Sequence, residues 1–86
     1  MRESIHRFAE LMESKLKEND HKGGWEYIST RRLLSLALDE VGELTGEILR
    51  GYKKEISPER VILECADVAN YMMMIADNVR GERDGK

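Results

Sequence analysis

Apolar residues recur at helical steps along most of this chain. Ile5, Phe8, Ala9, Met12 and Leu16 form one stripe, and Glu3, Glu10, Glu13, Lys15 and Lys17 cover the other side. That pattern predicts an amphipathic helix from residue 3 to about 19, ended by Asn19-Asp20 and the Gly23-Gly24 pair. A second helix is predicted from about Thr30 to Arg50. Ser29 or Thr30 is its candidate N-cap and Gly51 is placed just past its end. Its apolar arc is broad: Leu33, Leu34, Ala37, Leu38, Val41, Leu44, Ile48 and Leu49. Glu40, Glu43 and Glu47 run along the edge of that arc in line with Leu36, and Gly42 and Gly46 lie on another side with Ser35. After a short connection, Ser57-Pro58 supplies a cap and a first-turn proline for a third helix reaching about Arg80. Arg60, Glu64, Asp67, Tyr71 and Asn78 make its polar stripe, with Met74 among them. No alternating β-branched run is present, so the chain reads as all-α.

Three helices with arcs this wide cannot cover one another. The run Met72-Met73-Met74 alone presents apolar surface on several sides of the third helix. Two glycines inside the second helix cost roughly 1 kcal/mol each against alanine, and close approach of another helix is the expected compensation. The fold expected is therefore antiparallel helices that complete a four-helix-bundle core by oligomerisation, as a homodimer or a dimer of dimers. Length agrees. A chain of 86 residues is one domain, and so short a chain buries only about 60% of its unfolded surface. Residues 1–80 are assigned to that single helical domain and 81–86 to a charged, frayed tail.

Charge narrows the partners. The formal net charge is −3, without the basic face of a duplex-binding module. No apolar run is long enough for a membrane span and no signal peptide is evident. The only cysteine, Cys65, cannot form an internal disulfide. A cytoplasmic location is expected.

The acids are arranged. Glu40 and Glu43 stand three residues apart on the second helix, and Glu64 and Asp67 stand three apart on the third. Residues at that spacing share one helix face. Glu43 also has Asp39 and Glu47 at i−4 and i+4, and neither Glu40 nor Glu43 has a Lys or Arg at helical-neighbour spacing. Asp67 has Leu63 and Tyr71 beside it and no basic neighbour, whereas Arg60 is available to Glu64. Acids on helices usually form a solvated face, but these adjoin the apolar arc. Two such pairs on facing helices bring four carboxylates together and call for a cation. Oxygen-only donors suit a hard ion such as Mg²⁺. A di-iron bundle would need Glu-x-x-His, an EF-hand loop is absent, and Cys65 and the two histidines lack zinc-ligand spacing.

Leu38-Asp39-Glu40-Val41-Gly42-Glu43-Leu44, followed by Glu64-Cys65-Ala66-Asp67-Val68-Ala69-Asn70-Tyr71, resembles the Glu-x-x-Glu … Glu-x-x-Asp signature of the MazG-like, all-α nucleoside triphosphate pyrophosphohydrolases. That family is related to the dimeric dUTPases and dCTP pyrophosphatases. The loop His21-Lys22-Gly23-Gly24-Trp25 is similar to a segment of its short, single-domain members. The likeness covers about residues 15–80, and Asp39 departs from the Glu of many members.

The resemblance implies hydrolysis of the α–β phosphoanhydride of a (d)NTP to monophosphate and pyrophosphate. It implies Glu40, Glu43, Glu64 and Asp67 as catalytic metal ligands for Mg²⁺, with Mn²⁺ as the alternative ion. One or more ions would clamp phosphate oxygens and lower the pKa of the attacking water, with a neighbouring acid, Asp39 and Glu47 included, completing its deprotonation. Candidate substrate contacts are Lys22 to phosphate, Trp25 to the base, Tyr71 to the nucleoside, and Asn70 and Asn78 to sugar or phosphate. Surface, core or capping roles are the alternatives for each. Two other functions fit the same residues: a non-catalytic nucleotide- or metal-binding regulator, and a purely structural helical oligomer.

Overall fold

A computed structural model describes residues 1–49 and 57–83, and its helices start where local chemistry starts them. Helix α1 spans Glu3–Glu18 and runs into a single 3₁₀ turn at Asp20–Lys22. Helix α2 spans Thr30–Leu49. Ser29 is its cap, with Oγ accepting the Arg32 N–H at 3.1 Å. Helix α3 spans Pro58–Arg83, with Ser57 Oγ accepting the Arg60 N–H at 3.3 Å. Gly23 has φ +93°, a conformation that favours glycine, and turns the chain away from the 3₁₀ segment. Gly81 does not stop α3, which continues through Arg83. The Gly51 stop and the connection through Ile56 fall outside the described residues.

The side-chain pairs give the topology. Glu47 meets Arg60 near the start of α3, while the Ile28 carbonyl before α2 meets Asn78 near its end. Numbers rising along α2 fall along α3, so the two are antiparallel. Met12 with Asn70, and Lys15 with Asp67, show the same for α1 and α3. Helix α3 is thus the shared element of an all-α, three-helix fold, with α2 along it and α1 resting on it.

The core is small. Among the described residues, the fully buried apolar side chains are Leu33, Ala37 and Ala66. The face of α2 turned to α3 carries Leu33, Leu36, Ala37, Glu40 and Leu44, the edge that holds the acids. The rest of the broad arc faces outward, with Leu34, Leu38, Val41, Ile48 and Leu49 exposed. The Cα radius of gyration is 14.6 Å, against about 12 Å for a compact domain of this length. Among the described residues, the close helix approach expected at Gly42 is not made: a Cβ there would meet nothing within 4 Å.

Candidate metal centre

Antiparallel packing brings Glu64 of α3 against the Glu40–Glu43 turn of α2. One carboxylate oxygen from each of the three lies within 4.8 Å of the others. Glu40 and Glu64 are half-buried and Glu43 is exposed. Oε2 of Glu40 and Oε2 of Glu64 are buried without a hydrogen-bond partner. Two carboxylates can only accept, so these two bond to each other only when one carries a proton. Glu40 is accordingly pushed up to about 7, first by burial, then by the hydrogen bond with Glu64, then by the charges of Glu43, Asp67 and Glu64. Orphaned oxygens in a half-buried site bind either a proton or a cation. Three hard oxygen donors fit a divalent ion, without selecting Mg²⁺ over others.

Asp67 stands apart from that convergence. Its Oδ1 lies 3.5 Å from Lys15 Nζ on α1, so the absence of a basic neighbour inferred from α3 alone is corrected by a residue from another helix. Arg60 likewise does not serve Glu64. Its Nε lies 3.1 Å from Glu47 Oε1 and holds that acid away from the cluster. Asp39 is exposed.

One turn before Glu40, Leu36 opens onto a cavity of about 260 Å³ shared with Lys22, Trp25, Tyr71 and Met74. Tyr71 connects cavity and acids. Burial chiefly, then the charges of Glu40 and Asp67, raise its hydroxyl above the usual phenol range, while Arg32 opposes them. The volume is just under the ~300–1,000 Å³ of small-molecule pockets, enough for one flat ring system. A larger cavity, about 580 Å³, lies against the C-terminal end of α3. Its described lining includes three acids, Glu26, Asp77 and Glu82, whose charge repels phosphate.

Lys22, Trp25 and Tyr71 therefore share one cavity, and the two asparagines do not line it. Asn78 Nδ2 donates to the carbonyls of Trp25 and Ile28 at 3.1 and 3.2 Å, tying the loop to α3. Trp25 Nε1 donates to Asp77 Oδ2 at 3.0 Å. Asn70 is buried between α1 and α3, its Nδ2 donating to the Met12 carbonyl at 3.1 Å and its Oδ1 unpartnered.

No family model matches the chain, and neither a curated protein nor a solved structure does. Among the described residues, no helix is long and apolar enough to cross a membrane.

Two cations near the site are absent from the sequence-derived set. Lys15 belongs by periodicity to the solvated side of α1, yet its side chain is only 21% exposed. Arg32 lies one turn before Leu36 and two before Glu40, and its charge reaches Tyr71. That i, i+4, i+8 spacing along α2 is a signal legible in the sequence. No comparable signal announces Lys15, because its partner lies on a different helix.

Proposed function

We propose that this chain is a divalent-metal-dependent nucleoside triphosphate pyrophosphohydrolase. The observation that carries the reading is the Glu40–Glu43–Glu64 convergence, with two buried, unpartnered oxygens, beside a cavity lined by Lys22, Trp25 and Tyr71. Glu40, Glu43 and Glu64 would hold the ion, with Asp67 as the fourth candidate. The ion would supply charge neutralisation for phosphate and acidify water; among the ions that oxygen donors accept, Mg²⁺ is favoured by its habit of sharing sites with phosphates. Trp25 and Tyr71 offer aromatic surface to a base, and Lys22 offers its ammonium to a phosphate. The cavity takes the flat end of a nucleotide and the acids take its charged end.

Oligomerisation belongs to the same proposal. Leu34, Leu38, Val41 and Ile48 follow one another at steps of four, three and seven residues along the outer face of α2, the spacing of a helix-pairing seam interrupted at Thr45. A second copy would supply the apolar cover that a core of three fully buried side chains lacks.

The deciding experiment is pyrophosphate release from a panel of (d)NTPs with Mg²⁺. Wild type should turn over at least one of them, and Glu43→Gln and Asp67→Asn should fall by two orders of magnitude or more. Equal background rates in all three proteins would end the enzymatic reading. A metal-raised melting temperature without pyrophosphate release would instead identify a metal-binding regulator. A monomer at micromolar concentration in light scattering would refute the oligomer.

A further inference from the structure

Among the described residues, Lys15 is the cation paired with this group of acids. Its Nζ lies 3.5 Å from Asp67 Oδ1 and 3.7 Å from Glu18 Oε2, with the stem largely withdrawn from water. Asp67 is itself only 30% exposed and follows Glu64 by one helical turn. The fold thus divides four neighbouring acids into two sets. Three glutamates converge on one another, while the aspartate has its charge matched by an ammonium from α1.

We propose that Lys15 is a resident counter-cation that competes with the divalent ion for Asp67, and that metal binding turns it out of its place. The inference rests on the metal-site reading above. Its physical basis is charge arithmetic at short range. A divalent ion at the glutamates either stays clear of Asp67 and is repelled by the nearby ammonium, or takes Asp67 and leaves the ammonium with Glu18 alone. Either way the site binds metal less tightly than its carboxylates alone would. Lys15 therefore sets the concentration at which the site fills, tuned for an abundant ion rather than a trace one. It is a positioning and charge-balancing residue and does not contact the reacting atoms.

Two measurements test this without reading activity. Mn²⁺ binding, followed by the loss of the free-ion electron paramagnetic resonance signal, is compared between wild type and Lys15→Met. Methionine keeps an unbranched stem and removes the charge. Binding should tighten by about two- to fivefold, the range of a partly exposed ion pair. In parallel, wild-type lysines are labelled with an amine-reactive reagent and mapped by mass spectrometry, with and without Mg²⁺. Labelling of Lys15 should rise with Mg²⁺ while that of exposed Lys17 stays constant. Equal or weaker Mn²⁺ affinity in the variant overturns the proposal, as does Lys15 labelling indifferent to Mg²⁺ at a concentration that fills the site. Absence of Mn²⁺ binding in both proteins removes the metal centre itself, and this proposal with it. If Lys15→Met does not fold, the labelling of wild type decides alone.

Discussion

Stability of the metal-free protein should fall as pH rises from about 4.5 to 7, and Glu40 is the cause. Its carboxyl is pushed up to about 7 in the fold from an ordinary 4.5. Within that window the folded chain keeps a proton that the unfolded chain has released. The folded state binds more protons, so unfolding becomes easier as pH increases. Below pH 4.5 both states are protonated, and above 7 both are ionised, so the curve flattens at either end. The full displacement corresponds to about 3 kcal/mol at 1.36 kcal/mol per unit. Partial exposure and the proton shared with Glu64 reduce this to about 2 kcal/mol, or about 10 °C in melting temperature for a domain of this size. The assay is thermal unfolding by circular dichroism in EDTA at fixed protein concentration, for wild type and Glu40→Gln. The amide is nearly isosteric, cannot ionise and can donate to Glu64. Glu40→Gln should be the more stable protein at pH 8 and nearly equal at pH 4.5. The difference between the two proteins isolates the contribution of Glu40. Saturating Mg²⁺ should reverse the wild-type trend, because the ion binds only ionised carboxylates. Parallel pH curves for the two proteins in EDTA would refute the electrostatic account of the glutamate pair.

Other expectations follow from packing. Leu33 is completely buried, so Leu33→Ala should cost about 3 kcal/mol in urea unfolding, a loss large enough to leave so small a core partly unfolded at 25 °C. Asn78→Ala removes two hydrogen bonds from the loop carbonyls and should cost about 1–2 kcal/mol, with faster amide hydrogen exchange through residues 25–28. Gly42→Ala places a methyl in open space and should stabilise by about 1 kcal/mol; destabilisation would reveal a second chain packed against that side of α2.

Several features were legible because their signals are local. Ser29 and Ser57-Pro58 mark helix starts through side chains that cap the turn beside them, and the structure shows both caps. Glu40 and Glu43 share a face because three residues make most of a helical turn. Glu64 joins them because α2 and α3 are antiparallel neighbours. What escaped is set by rotation and register between helices. The arc of α2 is wide enough to meet α3 along either border, and periodicity does not choose between them. The border with Leu36 and Glu40 turns inward, while Leu34, Leu38 and Val41 turn outward. The partners Arg60–Glu47 and Lys15–Asp67 depend on that register, so Arg60 looked available to Glu64 and Asp67 looked unpaired. Residue type suits Asn70 and Asn78 to a ligand, and only the packing shows that Asn70 donates to a carbonyl of α1 and Asn78 to carbonyls of the loop before α2. Helix α3 outlasts Gly81 because one glycine costs a helix only about 1 kcal/mol.

Trp25 gives the molecule a built-in optical reporter. It is the sole tryptophan of the chain, so all indole emission comes from one wall of the cavity beside the acids. That emission has one ground-state anchor, the Asp77 carboxylate on its ring nitrogen. Carboxylates close to an excited indole shift and quench its light, and a stacked base quenches it further. Spectral position therefore tracks the Asp77 contact, and loss of intensity at a fixed position tracks occupancy of the cavity. Loop release and ligand arrival become separable signals in unlabelled protein.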